Sequence, residues 1–244
     1  MNLDRELARR HFLKQAFWLA GLSAFGVMPA ACASKWRLLP PRPVDWQMKP
    51  LSSARVEERA LADGRKELYI EHDLLRGVSP AMLVWFWRNI EGDIEVNGRT
   101  YPRYLIFHPV DHIHFTVVRR LADGSVGVGS RFHIVEALGA DMKNLIDVAM
   151  DLTKLDETGA RIELHVLGGT ALSIDGQFLP REAGTQFIST MTIGSSNWAG
   201  RSGFNRLMTE WLFPPERQQA WLKHSVEEIG NLEFFLPDLY RRSA

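Results

Sequence analysis

A run of β-like segments between residues 101 and 193, followed by one helical segment, is the feature that most constrains the fold of this chain. The β-like segments are rich in Val, Ile, Thr and Phe, and they span residues 104–118, 126–137, 161–167, 171–174 and 185–193. Residues 122–125 predict a turn, and Asp175-Gly176 predicts a hairpin. Residues 216–229 predict a helix that begins after Pro214-Pro215 and ends near Gly230-Asn231. We therefore expect an α+β domain in which a long C-terminal helix closes an antiparallel sheet around an internal cavity.

Three further segments complete the predicted organisation. Ser79 at the N-cap and Pro80 at the first helical position predict a helix over residues 81–90. A short helix is expected within the β run at residues 141–151. Residues 34–66 are rich in Pro, Arg and Ala, so they are predicted to be an extended lead-in. Residues 67–244 are then one domain, which carries the site.

Residues 1–33 have the pattern of a twin-arginine export signal. Arg9-Arg10, within the sequence RRHFLK, precedes an apolar run over residues 16–28 and then several small residues. The run is too short to span a bilayer, and it suits a signal peptide better than an amphipathic helix of the folded domain. Cleavage at Ala31-Cys32-Ala33 would release a periplasmic protein, whereas Cys32 could instead carry a lipid anchor. We therefore predict the twin-arginine machinery as a partner and the periplasm as the destination.

Charge and cysteine content exclude several classes of protein. Lys plus Arg equals Asp plus Glu at 29 each, so a nucleic-acid-binding surface is not indicated. Beyond the first thirty residues, no apolar stretch is long enough for a transmembrane span. The single cysteine, Cys32, excludes an internal disulfide framework and any multi-cysteine metal site. Eight tryptophans and thirteen phenylalanines fit either an aromatic-lined pocket or an aromatic core.

Histidines are concentrated in the predicted strands. His108 and His112 are four residues apart in one predicted strand, so they would share a face, and His114 would lie on the same face. Glu136 is near the end of the next predicted strand. These side chains could supply half of a metal site, although a single strand histidine is more often a core or surface residue.

The predicted C-terminal helix could supply the other half. His224 and Glu228 have the i, i+4 spacing at which helical side chains converge, whereas Glu227 points elsewhere. Two imidazoles and two carboxylates suit Zn²⁺, with Fe²⁺ and Mn²⁺ as alternatives. Helical His–Glu pairs are also common on solvated surfaces, so the pattern alone leaves a structural role open. The predicted metal ligands are His112, Glu136, His224 and Glu228.

Three sequence blocks resemble the diacetylphloroglucinol hydrolase family, which includes the phloretin hydrolases. The first block is Gly77-Val78-Ser79-Pro80 with Trp85-Phe86-Trp87 after it, the second is the Y-x-x-x-H-P-x-D-H pattern of residues 104–112, and the third is HSVEEIGN at residues 224–231 with Leu236-Pro237 after it. Together the blocks extend over about residues 77–237, which is most of the predicted domain.

The resemblance implies a helix-grip fold of the Bet v 1 and START type, and a zinc-dependent hydrolase of carbon–carbon bonds in ketones. Carried over by position, the zinc ligands are the four residues named above. Tyr104 would bind a ring hydroxyl, and His108 would orient the site. Tyr104 or His165 would bind hydroxyls or transfer protons. The substrate would be an acylated polyhydroxylated aromatic, and the export signal leaves another small aromatic ketone open.

Two other functions compete with this hypothesis. A non-enzymatic periplasmic carrier would use the cavity to hold a hydrophobic ligand and would not need inward-facing metal ligands. A non-haem iron oxygenase would use two histidines and one carboxylate, and the second carboxylate argues against it. The sequence does not predict an oligomeric state.

Overall fold

This computed structural model describes residues 35–166, 168–197 and 203–243, and an antiparallel sheet is the largest unit of the fold. Its strands are β1 Arg55–Ala60, β2 Lys66–Glu71, β3 Leu75–Arg76, β6 His112–Arg119, β7 Arg131–Ala137, β8 Leu145–Asp156, β9 Gly159–Val166, β10 Gly169–Arg181 and β11 Gly184–Ile193, while β4 Asp93–Val96 and β5 Arg99–Pro102 form a separate hairpin. The order across the sheet is β1-β2-β11-β10-β9-β8-β7-β6, with β3 beside β11. Every neighbouring pair is antiparallel.

Helices close one face of the sheet. They are α1 Pro80–Arg88, α2 Arg103–Phe107, α3 Asn205–Leu207, which continues into a π-helical turn Met208–Leu212, and α4 Pro215–Arg241. The predicted α+β arrangement of an antiparallel sheet and a long C-terminal helix is therefore confirmed. Among the described residues, no helix is both long and apolar enough to cross a membrane.

One large cavity lies between α4 and strands β6 to β11. It encloses about 1340 Å³ of space, part of which opens to solvent. Alternate residues of each strand face it, as Ile146, Val148 and Met150 of β8 do, because successive strand side chains point to opposite faces of a sheet. Two clusters of buried apolar side chains flank this cavity. They hold the helix against the sheet while the cavity between them stays unfilled.

Helix α1 begins as predicted. The Ser79 hydroxyl accepts a hydrogen bond from the backbone N–H of Met82 at 3.2 Å, and Pro80 occupies the first helical turn, where its missing N–H is not needed.

Helix α4 extends beyond its predicted end at residues 230–231 and continues to Arg241. Gly230 lies where the helix packs against Lys49, since an added Cβ would lie 3.1 Å from that side chain. The Asn231 side chain is buried, and it donates to the carbonyl of Phe107 and accepts from Trp46. The two residues that predicted a helix end therefore serve helix packing instead.

The hairpin predicted at Asp175-Gly176 is wrong. Strand β10 runs through both residues, and Gly176 pairs with Ser189 on one side and Ala160 on the other. An added Cβ at Gly176 would lie 2.7 Å from the Phe187 ring. This glycine makes room for an aromatic side chain in the sheet.

The short helix expected at residues 141–151 is wrong as well. Only Met142–Asn144 forms a 3₁₀ turn, and the following residues belong to strand β8. The alternation of apolar residues that face the cavity explains the strand, because it has the two-residue period of a sheet.

The lead-in predicted over residues 34–66 is extended as far as Pro50, but it also contains strand β1, which pairs with β2 along its whole length. The sheet thus begins inside the predicted lead-in. The predicted export signal and Cys32 lie outside the described residues.

Candidate metal centre

The segment predicted as one strand over residues 104–118 contains a helical turn, a bend and then a strand. Helix α2 ends at Phe107, and His108 adopts an extended conformation (φ −132°, ψ 100°), because the residue before a proline is disfavoured in the helical region. Strand β6 starts only at His112. His108 and His112 therefore do not share a strand face, and the prediction that they do is corrected.

His114 lies on the opposite face of the sheet from His112. A β-bulge between these two residues interrupts the strand alternation, so that His112 pairs with Glu136 while His114 pairs with Val135. The His114 ring stacks on Trp36 at a centroid distance of 4.9 Å. The expectation that His114 joins the site face is wrong for this reason.

The four predicted ligands do come together at one end of the cavity. His112 Nε2 lies 3.4 Å from Glu136 Oε1 and 3.8 Å from Glu228 Oε1. His224 Nε2 lies 3.5 Å from Glu136 Oε2 and 3.5 Å from Glu228 Oε2. The sheet supplies His112 and Glu136 as a cross-strand pair, and α4 supplies the other two from adjacent helical turns.

These contacts fit ligands around a common centre better than they fit hydrogen bonds. Both Nε2 atoms, of His112 and of His224, are buried without a hydrogen-bond partner among the described residues, and such atoms are costly unless a ligand satisfies them. In a tetrahedral zinc site with bonds of about 2.0–2.2 Å, neighbouring donor atoms lie about 3.3–3.6 Å apart. His112, Glu136 and His224 each place one donor atom within 4.8 Å of the others, and Glu228 lies beside this group, so the donors suit a divalent cation.

The second nitrogen of each ring fixes its orientation. His112 Nδ1 donates to the backbone carbonyl of Tyr104 at 2.5 Å, and His224 Nδ1 donates to Asp111 Oδ2 at 2.9 Å. Because Nδ1 carries the proton in both bonds, the neutral form of each ring leaves Nε2 with a free lone pair. This is the usual arrangement of a metal-binding histidine.

Asp111 is the functional residue that sequence reasoning missed. Its carboxylate also accepts the backbone N–H groups of Gly139 and Ala140 at 2.8 and 2.9 Å, so it is held from three sides. Burial opposes its ionisation, but the bond from His224 and the charge of nearby histidines prevail and lower the pKa of Asp111 to about 2. The available signal was its place in the His-Pro-x-Asp-His block.

His108 is buried behind the candidate ligands and does not line the cavity. Its Nδ1 accepts from the backbone N–H of Asp111 at 3.0 Å, which directs its Nε2 toward Glu227 Oε2 at 3.4 Å. Glu227 in turn binds Lys223. His108, Asp111 and His224 also form a compact group, but Asp111 and His224 already use their facing atoms on each other, so we assign His108 a positioning role.

Burial strongly affects ionisation at the four ligand positions. It lowers the pKa of His112 well below its usual value, and it raises the pKa of Glu136 and brings that of Glu228 to about 8. Burial would also lower the pKa of His224, but the Glu136, Asp111 and Glu228 carboxylates outweigh it and raise that pKa to about 9. Both carboxylates therefore resist carrying a negative charge in this buried site, and a bound cation would offset that cost.

Tyr104 lies at the candidate site, whereas His165 does not. The Tyr104 hydroxyl donates to Glu136 Oε1, and its ring stacks on His112 at 3.8 Å, so Tyr104 supports two ligands while lining the cavity. Burial raises the pKa of its phenol well above the usual value. His165 is 42% exposed and contacts Glu163 and Thr170. Its neighbour Leu164 faces the cavity instead, so strand alternation excludes His165 from the site.

Comparison with known proteins does not assign a family. No family model matches the chain, and no curated protein matches it. Among solved structures, it is similar to Ara h 8.0201 (11% identity, 75% of this chain and 99% of that chain, TM-score 0.43), to the KanY protein ms6282 (10%, 78% and 99%, TM-score 0.44) and to protein NE0264 from Nitrosomonas europaea (14%, 75% and 99%, TM-score 0.40). These likenesses are too low to carry a function, so a function can be argued only from the chain's own residues and geometry.

Proposed function

We propose that this protein is a zinc-dependent hydrolase with a helix-grip fold that cleaves the carbon–carbon bond between an acyl group and a polyhydroxylated aromatic ring. The observation that carries the proposal is the pair of unpartnered Nε2 atoms, of His112 and His224, which face Glu136 and Glu228 at the end of an apolar cavity. The sequence blocks shared with the diacetylphloroglucinol hydrolases support the substrate class. Fe²⁺ and Mn²⁺ remain alternatives to Zn²⁺ for the same donors.

The proposed reaction adds water across the bond between the acyl carbon and the ring. The water oxygen becomes part of a carboxylic acid, and a proton replaces the acyl group on the ring carbon. A bound zinc ion would polarise the acyl carbonyl and lower the pKa of water toward about 7. A polyhydroxylated ring assists, because its keto tautomer accepts the bonding electrons as the acyl group departs.

The chain's own residues hold this site rigid. Asp111 fixes the His224 ring, the Tyr104 carbonyl fixes the His112 ring, and the Tyr104 hydroxyl fixes Glu136. Because its phenol stays protonated and its oxygen borders the cavity, Tyr104 can also accept a hydrogen bond from a ring hydroxyl. The apolar side chains of the sheet would surround the aromatic ring and exclude bulk water.

A periplasmic carrier of a hydrophobic ligand is the second candidate, and the size of the cavity favours it. A carrier, however, gains nothing from two buried carboxylates that face unpartnered imidazoles, since such groups weaken the fold without a cation. Residues 1–33 support export by the twin-arginine route under either function.

Metal analysis of the purified protein tests the centre. We expect one zinc ion per chain in the wild type, and loss of the metal in His224→Ala. His165→Ala is the matched control, because it removes an imidazole that is exposed and outside the cavity. Absence of stoichiometric metal from the wild type would overturn the enzyme proposal and favour the carrier.

Incubation of the zinc form with diacetylphloroglucinol or phloretin tests the reaction. Chromatography should show a carboxylic acid and the deacylated ring in equal amounts, with wild-type and His165→Ala protein but not with His224→Ala protein. Intact substrate in the presence of stoichiometric zinc would refute the substrate class while leaving the metal centre in place.

A further inference from the structure

Two arginines border the cavity, Arg161 and Arg217, and only Arg161 forms an ion pair among the described residues. The Arg161 side chain lies on the same outer face of β9 as His165, where it is 45% exposed and forms an ion pair with Asp175. Arg217, on α4, forms no ion pair with any carboxylate of the described residues. Its guanidinium donates only to the backbone carbonyls of Leu212 and Lys143, at 2.6 and 2.9 Å. Arg217 therefore brings an uncompensated positive charge to the cavity wall.

Arg217 lies on the same face of α4 as the candidate ligands His224 and Glu228. Arg217, Trp221, His224 and Glu228 have the i, i+4, i+7 and i+11 spacing of one helical face, and all four line the cavity. Seven residues separate Arg217 from His224, which corresponds to about 10 Å along the helix axis. One face of α4 thus has the candidate metal ligands in its middle and a free cation nearer its start.

The environment of Arg217 adds to the argument. The side chain is half-buried, its Nε–H is buried without a partner among the described residues, and burial lowers its pKa. A guanidinium has five N–H donors and stays protonated in proteins. Only two carbonyls accept from this one, so several donors remain for an oxygen-rich group. The intervening wall between the two polar positions consists mostly of apolar side chains.

We propose that the cavity selects ligands that have an apolar, aromatic body and an anionic group, and that Arg217 binds the anionic group about 10 Å along α4 from His224. A carboxylate or a sulfonate matches the fork geometry of a guanidinium. This inference concerns which ligands the cavity admits, and it holds whether or not the metal centre hydrolyses them.

Two fluorescent probes with the same aromatic framework test the proposal. 8-Anilinonaphthalene-1-sulfonate is anionic, and N-phenyl-1-naphthylamine is its neutral counterpart. Both should gain fluorescence in the cavity, and each should displace the other. Arg217→Gln should weaken binding of the anionic probe about tenfold and that of the neutral probe less than about twofold. Arg217→Lys keeps the charge but lacks the guanidinium fork, so its affinity for the anionic probe should lie between those of the wild type and Arg217→Gln.

Arg181→Gln is the matched control, because Arg181 is exposed and lies outside the cavity. This substitution changes the net charge by the same amount as Arg217→Gln. It should leave both affinities unchanged. Retained binding of the neutral probe shows that the Arg217→Gln cavity is folded. If that variant loses both probes, the Arg217→Lys variant decides. The proposal is overturned if Arg217→Gln binds the anionic probe normally, if Arg217→Lys loses the anionic probe but not the neutral one, or if Arg181→Gln weakens anionic binding as much as Arg217→Gln does.

Discussion

The His224 ring faces carboxylates on both sides, but it forms a hydrogen bond on only one of them. On the inner side, Asp111 accepts from His224 Nδ1 and from two backbone N–H groups, so its hydrogen-bonding capacity is used within the fold. On the cavity side, His224 Nε2 faces Glu136 and Glu228 at 3.5 Å without a hydrogen bond. Both sides are buried and both pair imidazole with carboxylate. Of the two nitrogens of His224, only Nε2 on the cavity side lacks a hydrogen bond among the described residues, and that difference separates the supporting side of the ring from the candidate binding side.

Glu228→Gln should have the largest effect, because it changes a carboxylate on the cavity side of His224. Removal of one charged ligand should weaken zinc affinity by more than about 100-fold, beyond the effect typical of supporting residues. The metal-free protein should nevertheless be about as stable as the wild type at neutral pH, because Glu228 already holds a proton there and its amide replacement is uncharged as well. Zinc titration and thermal melts of the metal-free forms measure both. A destabilised metal-free variant would show that Glu228 supports the fold instead.

Asp111→Asn, in contrast, should lower stability. The amide cannot offer two carboxylate oxygens to three donors, so metal-free protein should lose about 3 kcal/mol. Zinc affinity should fall between about 10- and 100-fold, because the His224 ring loses its orientation. Denaturant unfolding and zinc titration test this prediction. Unchanged stability with a total loss of zinc would place Asp111 among the ligands.

Lower pH should weaken zinc binding. In the metal-free protein the pKa of His224 is about 9 and that of Glu228 is about 8, so both groups hold protons at neutral pH. Zinc must displace these protons, and affinity should therefore fall at least about tenfold per unit as pH decreases from 7 to 6. Calorimetry in buffers of different ionisation enthalpy should detect proton release. Binding without proton release would show that His224 and Glu228 are already deprotonated in the metal-free protein.

Tyr104→Phe should have the smallest effect of the four. It removes the hydrogen bond to Glu136 but keeps the ring that stacks on His112. We expect zinc affinity to fall about threefold to tenfold. Substrate affinity should fall further if the Tyr104 oxygen binds a ring hydroxyl. A drop in zinc affinity as large as that of Glu228→Gln would mean that the phenol is itself a ligand.

Sequence reasoning reaches the helical half of the site more easily than the sheet half. The i, i+4 spacing of His224 and Glu228 is local, so it needs only a helix to bring the pair together. The meeting of His112 with Glu136 depends on the register of β6 against β7 and on the bulge before His114. Neither is encoded by a local period, which is why the predicted face is wrong for His114. The prediction for His165 fails because alternation along β9 puts Leu164, and not its neighbour, toward the cavity.

Helix α2 and the bend after it also escape prediction, although Pro109 marks where the helix ends. The apolar residues of helix α2 suit a strand as well as a single helical turn, and only contacts with the rest of the fold decide between the two conformations. The same holds for Gly176 and Gly230, which predict breaks locally and instead make room for Phe187 and Lys49.

Helix α4, the last element that the structure describes, carries two of the four candidate ligands, and this limits when the candidate centre could form during synthesis. His112 and Glu136 pair within the sheet, but they lack their partners until α4 has been made and has docked. Contacts between such distant parts of the chain form late in folding, because a long loop must close first. An ion held by both parts would then act as a cross-link between the first half of the sheet and the final helix. Capture of an ion would therefore stabilise the docked helix against the sheet after both parts have folded.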